Sequence, residues 1–563
     1  MTADRRLNAE REVGHTAVAP WLSRVLTAVF LATILLPSTL QNVHDLVARQ
    51  RCERAGALPQ STDILRLPAV ALGAFRSAEG GPAERLFAAN GETLRAIHAF
   101  EDSLEESSVV GAWVRPRVQT VLTRAFGAGN EQVYCGRPGW LFYRPAVDHL
   151  TGAGFLDRHE LARRAAAGSE WQDPPQPDPR PAILEFRIQL ADRGIELLLV
   201  PVPVKASIHP EQLARKIPIS DHPIHNPSFS AFLAGLEGKG VRVFDPTPLL
   251  LEAKVDDGKA LYLRTDTHWT PRAMDRVAGG LAQEVRRIIA LPRMGAAPYV
   301  EDETPVSHTG DLVEMLELPA LYPPQTTDIG AVHESTGSAW QSTPSAGVLL
   351  LGDSFANIYA RKELGWGTDA GLAQRLSYHL QRPVDALVRN DDGAFATRLA
   401  LSQQISADPG RLASTKILVW EFTARELSFG DWRSVPMETA VPSKADFFVP
   451  ERGATVVVEG RVAALADIPD PREAPYADYI VGLHLVDLSS DEPLDGDQAV
   501  VFAWAMQDRK LTAGAGYRVG QRLRLELRPW SDMAPQLESI TRGELYENNL
   551  LFETPCWGEE IAP

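Results

Sequence analysis

Between residues 195 and 420 the chain keeps returning to one unit: a short apolar run, a helical pattern, then another apolar run. Ile195–Val202 (IELLLVPV) opens the series. Val241–Phe244, Gly347–Leu351, Val384–Val388 and Lys416–Trp420 continue it, with helical patterns such as Ala182–Arg193, Arg272–Ala290 and Ala370–Gln381 around them. A run that is apolar at every position suits a strand covered on both faces, as in a parallel sheet with helices above and below. The pattern therefore predicts an α/β domain over about residues 131–435, a parallel sheet flanked by helices.

The flanks have other textures. Val25–Leu36 (VLTAVFLATILL) is apolar and follows Arg5, Arg6 and Arg11. It is short against the roughly 20 residues a membrane span needs, and reaches that length only by extending back to Pro20 and taking in Arg24. The basic start fits a secretory signal, but the following PSTLQNVHD offers no small-x-small cleavage site, which favours an uncleaved anchor over residues 1–41 with the rest exported. A buried core helix is the competing reading. Residues 42–130 read as mainly helical, for instance Glu84–Leu104 and Gln119–Phe126, and WQDPPQPDPRP (171–181) is a loop. From 446 to 563 the runs Thr455–Val462, Tyr479–Leu488, Val500–Met506 and Gln521–Leu527 are β-like, with no helical spacer between them, and predict a small barrel or sandwich.

Charge and cysteine content remove several function classes. Lys and Arg total 56 against 73 Asp and Glu, a formal charge of −17, which repels a phosphate backbone and an anionic membrane surface, so no nucleic-acid partner is expected. Three cysteines, none in a C-x-x-C pair, exclude a thiolate metal cage and a disulfide framework. Cys52 and Cys135 could pair in an oxidising compartment, leaving Cys556 free. No cofactor is expected.

Two segments carry chemistry. In VLLLGDSF (348–355) a buried strand runs into Gly352-Asp353-Ser354 and a helix start, so the serine falls at the carboxyl end of a strand, where α/β sheets bind ligands. Free N–H groups there can stabilise an oxyanion, and Gly352 allows a tight turn and substrate approach. The same tripeptide also makes an ordinary N-cap. In RTDTHWTP (264–271), Thr270-Pro271 marks a helix start, so Asp266 and His268 lie in the loop before it, on one side if the segment is extended. A carboxylate beside an imidazole fixes its tautomer and leaves the other nitrogen as a base for a serine. A structural hydrogen bond or a metal pair are the competing readings. His209, His222 and His225 lie upstream but lack a helical i, i+4 spacing, and no metal is expected.

On these residues the sequence resembles the periplasmic alginate O-acetyltransferases (AlgX/AlgJ type), whose catalytic domain is SGNH-hydrolase-like. The matching stretches are CGRPGWLFY (135–143), VPVPVKASIHPE (200–211), RTDTHWTP (264–271), LLGDSFANIY (350–359) and, more loosely, VWEFTARELSFGDW (419–432). The resemblance implies Ser354 as the acetyl-accepting nucleophile, His268 as general base and Asp266 as its orienting partner. It also implies a polysaccharide substrate and acetyl groups delivered by a membrane-bound acyltransferase, with the protein held at the inner membrane by its anchor. Asn357 and the Asn390–Gly393 turn are candidates for a second oxyanion donor. Lys205 is a candidate for the site wall, against a solvated lysine at a strand end. Trp140 and Tyr143 read as packing. Trp504, Trp530, Trp557 and Tyr517 are either sugar-stacking or packing residues. Alginate itself does not follow, since a polyuronate favours a basic groove. A carbohydrate acetylesterase with the same triad and a non-catalytic scaffold of an export complex remain the alternative functions.

Overall fold

The computed structural model describes residues 19–561 apart from 52–63, 66, 78–80, 107, 168–174, 215–222, 292–297, 319, 391–393, 438–446, 467, 470–473, 475, 539, 546–549 and 551–552. Cys52, and with it the Cys52–Cys135 pairing, lies outside these residues, as do His222 and Asp391–Gly393. The chain divides after Val118 into two units.

The first unit is helical, with helices Pro20–Arg51, Leu67–Ser77 and Pro82–Glu106. The first runs unbroken past residue 41. Its stretch Pro20–His44, 25 residues, is long and apolar enough to cross a membrane by length and composition. At about 1.5 Å per residue it spans roughly 37 Å against a hydrocarbon core of about 30 Å.

In the second unit the apolar runs form the expected sheet. A small ribbon of β1 (Val133–Cys135) and β2 (Leu141–Tyr143) comes first. β3 (Glu196–Val202) and β4 (Arg242–Val243) follow, then a long antiparallel hairpin of β5 (Tyr299–His308) and β6 (Gln325–Glu334). β7 (Val348–Gly352), β8 (Asp385–Val388) and β9 (Ile417–Thr423) complete a five-stranded sheet in the order β4-β3-β9-β7-β8, all parallel.

Strand alternation sends the apolar side chains to two separate cores. Leu198, Val200, Val202, Val348, Leu350, Ile417 and Val419 meet helices Pro271–Ile288 and Leu372–Leu380 on one face. Leu197, Leu199, Leu349, Leu351, Leu418, Trp420 and Phe422 meet helices Pro179–Ala191 and Ala396–Ala407 on the other. This two-sided cover explains why the strands carry no polar alternation. The β5–β6 hairpin is the element the sequence reading missed: β5 (YVEDETPVSH) is mostly exposed on both sides, so no buried face patterns it.

The C-terminal strands are β10 (Val456–Leu465), β11 (Tyr479–Ser489), β12 (Ala499–Gln507), β13 (Lys510–Leu511), β14 (Arg522–Pro529), β15 (Arg542–Gly543) and β16 (Cys556–Glu560). They run β12-β16-β14-β10-β11, and a β11–β12 pairing closes the ring, so the region is a small barrel. Tyr517, Trp530 and Trp557 are buried in it, and Trp504 meets Trp557 edge-on. Tyr517, Trp530 and Trp557 are therefore packing residues, and Trp504 is half-buried beside them. The β12–β13 turn holds two adjacent non-glycine residues, Asp508 (φ 48°) and Arg509 (φ 59°), in the left-handed region, a conformation that costs a non-glycine residue about 1–3 kcal/mol.

Candidate active site

The strand β7 ends at Gly352, and Asp353 caps the single helical turn Ser354–Asn357, its Oδ1 accepting from Phe355 N–H. The two readings of Gly-Asp-Ser thus divide between neighbours: Asp353 caps, and Ser354 is left to meet another side chain. The other Asp353 carboxylate oxygen accepts from Thr423 N–H at 2.8 Å and from the Thr423 hydroxyl at 2.5 Å, tying the turn to β9.

The Asp-His loop is built as expected at its exit, where Thr270 caps helix Pro271–Ile288 by accepting from Ala273 N–H. Its conformation differs from the extended segment expected. Leu263 N–H donates to His268 O, and His268 N–H to Asp266 Oδ1 at 3.0 Å, closing a tight loop that brings the two side chains together. His268 Nδ1 lies 2.7 Å from Asp266 Oδ1, and His268 Nε2 lies 2.9 Å from Ser354 Oγ. All three residues are buried, with Asp266 1% and Ser354 8% exposed. Segments 86 residues apart therefore join in one hydrogen-bonded run. The arrangement can pass a proton from a hydroxyl to an imidazole whose charge a carboxylate balances.

Further groups hold the run. Trp366 Nε1–H donates to Asp266 Oδ2 at 2.8 Å, and Asp311 N–H donates to the same oxygen at 3.1 Å. Asp311 follows Gly310, whose φ of 95° turns the chain into the site, and its Oδ2 lies 3.9 Å from His268 Nδ1. Burial raises the Asp266 carboxyl, but the His268 charge and the hydrogen bonds outweigh it and hold the group well below its ordinary range. Burial lowers the His268 imidazole, yet the Asp266 charge, its hydrogen bond and Asp311 hold the ring above its ordinary value. Burial, with the Asp266 charge beside it, pushes Asp311 up to about 6. Ligand atoms of Asp266, His268 and Asp311 lie within 4.8 Å of one another, a spacing compatible with a cation. The donor set fits a metal poorly, because both His268 nitrogens are already engaged, one by Asp266 and one by Ser354.

The other candidates take different positions. Lys205 is no solvated strand-end lysine: it is 3% exposed, and its ammonium donates to Leu141 O (2.6 Å), Arg264 O (2.9 Å) and Asp266 O (2.8 Å). Burial pulls it down to about 7. It supports the Asp-His loop from behind rather than lining the wall beside Ser354. Gly352 does leave room, but for protein: a Cβ there would sit 2.7 Å from Ala356 Cβ and 2.9 Å from Glu421 Oε2, so the space is not kept for substrate. The Asn357 amide donates to Asn390 Oδ1 at 3.0 Å, and Asn390 is the one that lines the cavity.

The sequence reading missed four site residues. Glu421 is fully buried in β9, accepts from Asp353 N–H at 3.0 Å, and is pushed well above the carboxylate range by burial and by the Asp353 charge. A lone acid inside the apolar run LVWEF was its available signal. Asp311 and Trp366 had no signal in a single chain. Arg425, just past β9, stands over the rings of Tyr143 (5.4 Å) and Phe355 (5.9 Å). Tyr143 also lines the cavity, beyond the packing role expected for it.

The cavity has a volume of about 300 Å³, with Asp266, His268 and Ser354 in its wall. Its far side belongs to the barrel: Tyr476, Ala477, Asp508 and Arg509 line it, and Arg509 Nη2 reaches Glu314 Oε2 of the α/β domain at 2.8 Å.

Comparison with known proteins agrees with this architecture. Residues 133–424 match the family described as SGNH hydrolase-like domain, acetyltransferase AlgX. The chain is similar to the probable alginate O-acetylase AlgJ of Pseudomonas aeruginosa, 28% identical over 357 residues covering 59% of this chain and 80% of that protein. It is likewise similar to the probable alginate O-acetylase AlgJ of Azotobacter vinelandii, 27% identical over 317 residues covering 54% of this chain and 71% of that protein. Among solved structures it is similar to the O-acetyltransferase domain of Pseudomonas putida AlgJ, at 22% identity and a TM-score of 0.39, covering 55% of this chain and 94% of that one. Pseudomonas aeruginosa AlgX is similar at 16% identity and a TM-score of 0.38, covering 70% of this chain and 90% of that one. The chain belongs to the SGNH hydrolase-like, AlgX-type acetyltransferase family.

Proposed function

We propose that this protein moves acetyl groups onto hydroxyls of an exported polysaccharide through an acetyl-serine intermediate on Ser354. The observation that carries the reading is the run Asp266–His268–Ser354, at 2.7 and 2.9 Å, opening on a cavity of about 300 Å³. His268 Nε2 takes the Ser354 proton as Oγ attacks the acetyl carbonyl, and Asp266 balances the imidazolium. The donor's alcohol leaves with that proton, and the acetyl group stays on Oγ. A sugar hydroxyl then gives its proton to the same nitrogen and attacks the ester, returning Ser354 to its resting form. The Ser354 N–H and the Asn390 amide serve the oxyanion. Asn357 acts through Asn390: by donating to Asn390 Oδ1 it leaves the Asn390 Nδ2 group to face the cavity.

On this reading residues 1–41 anchor the chain in the inner membrane, 42–130 form a helical spacer in the periplasm, 131–435 carry the chemistry and 446–563 complete the cleft. A membrane-bound acyltransferase supplies the acetyl groups. The apolar stretch Pro20–His44 supports the anchor, and the names of the similar proteins support acetyl transfer.

The test is turnover of 4-nitrophenyl acetate with and without an oligosaccharide acceptor, followed by mass spectrometry. The expected result is an acetyl adduct on Ser354 and acetylated sugar, both lost in Ser354→Ala. Hydrolysis that no acceptor diverts would mark an esterase. Unchanged polymer acetylation in a cell carrying Ser354→Ala would mark a scaffold.

A further inference from the structure

We infer that helix Val109–Phe126 lies along an anionic lipid surface, with its outward apolar stripe against the acyl chains and its arginines among the headgroups. This goes beyond the acetyl-transfer reading and rests on the anchor in it. In this 18-residue helix Val114, Val118, Val121 and Ala125 recur at i, i+4, i+7 and i+11, the spacing of one helix face. Such a stripe normally faces a core. Here it faces outward: Val114 and Val118 are exposed, and Val121 is 60% exposed. Leu122 and Trp113 (61% exposed) widen it. Arg117 and Arg124 flank the stripe on one side and Arg115 on the other, and the helix holds no Asp or Glu. The net charge of −17 opposes an anionic surface over the molecule as a whole, so these three cations without an acid are a local exception. An apolar face bordered by arginine and tryptophan is the pattern of a helix lying in a membrane interface.

A hydrogen bond sets the height of this helix. Val109 N–H, at its start, donates to Gln41 Oε1 at 3.0 Å, and Gln41 is buried near the end of the apolar stretch Pro20–His44. A hydrocarbon core takes about 20 residues of helix. Counted back from Gln41 these reach Trp21, an aromatic of the type that marks the opposite interface. Gln41 therefore stands where acyl chains give way to headgroups, and the first turn of Val109–Phe126 stands with it. Trp113 follows one turn later with the Arg117 guanidinium 4.1 Å from its ring centre, a pair suited to that depth. A second copy of the helix would also cover the stripe, but it sets arginine against arginine with no carboxylate between them. Lipid is the better match.

The test reconstitutes the full-length chain in vesicles of phosphatidylethanolamine and phosphatidylglycerol whose acyl chains carry bromine near the headgroup, which quenches tryptophan on contact. Trp21→Phe and Trp113→Phe should each remove part of the quenched emission, the first reporting the anchor and the second the helix. Val118→Trp, on the stripe, should add quenched emission, whereas Ala112→Trp, on the far side of the helix, should add emission that bromine leaves intact. Replacing phosphatidylglycerol by phosphatidylcholine, or combining Arg115→Gln, Arg117→Gln and Arg124→Gln, should cut the quenching of Trp113 several-fold and spare that of Trp21. Quenching of Trp21 with none at Trp113 or in Val118→Trp overturns the inference, whether the stripe meets water or, as cross-linked dimers would show, a second copy. Quenching of Trp113 that neither lipid charge nor the arginine variant moves overturns the role given to the arginines. Emission that Trp21→Phe leaves equally quenched overturns the anchor itself.

Discussion

At the carboxyl ends of the parallel sheet, Asp266 and His268 are buried and Asp311 half-buried, yet all three open onto a cavity. In the barrel, Arg542 is buried as deeply but is enclosed: Phe502 and Trp530 flank its guanidinium, each ring centre 4.9 Å away, and Glu544 (2.7 Å) and Glu538 (3.2 Å) accept from it. Both clusters take charge out of water, and both satisfy it with opposite charge. Only the first leaves a reactive atom, Ser354 Oγ, facing space that a substrate can fill. Buried charge is therefore a poor marker of function by itself; buried charge beside a cavity at the end of a strand is a better one.

That contrast can be broken by paired substitutions. Ser354→Ala should lower kcat/KM for an acetyl ester by roughly 10³-fold or more while leaving the melting temperature where it was. Arg542→Met should do the reverse, costing about 3 kcal/mol in denaturant titrations because the buried Glu544 and half-buried Glu538 lose their nearest cation, with turnover per folded molecule intact. If Arg542→Met abolished turnover in folded protein, the separation between the clusters would fail.

Lys205→Met sharpens the comparison, since Lys205 is enclosed like Arg542 but lies against the Asp-His loop. Losing its three carbonyl contacts should lower kcat by roughly 10–100-fold through misplacement of the loop, with KM for the ester little changed. Glu421→Gln should stay within about 1 kcal/mol of the parent, because burial and the Asp353 charge favour the uncharged acid and the amide keeps its shape. Glu421→Ala should lose both stability and turnover, leaving Asp353 N–H without its acceptor. The smallest effect expected is a shift in the pH profile. On the proposed mechanism His268 acts as a base only when neutral, so ester turnover should rise with pH through an ionisation above the ordinary histidine value of about 6.5. Asp311→Asn removes a charge that favours the imidazolium and should move that midpoint down.

The strands were legible because a parallel sheet demands side chains that are apolar on both faces. LLLV, VLLL and ILVW admit few other fates. Ser354, His268 and Asp266 were legible for a related reason: a strand end and a Thr-Pro helix start fix where loops must lie. The remaining site residues were not, because their role depends on contacts distant in sequence. Trp366 reaches Asp266 across 100 positions, and Glu421 reaches Asp353 across 68. Lys205 was noticed but misread, since nothing local says that three carbonyl oxygens converge on it. The exposed β5–β6 hairpin escaped for the opposite reason, having no core face to pattern it.

The hairpin tip at Asp508–Arg509 gives the molecule a modular character. Its α/β domain holds the hydrogen-bonded run Asp266–His268–Ser354, while the barrel contributes Tyr476, Ala477, Asp508 and Arg509 to the cavity wall. Exchanging the barrel, or merely redrawing that turn, would reshape the cavity wall while leaving Asp266, His268 and Ser354 on the elements that hold them.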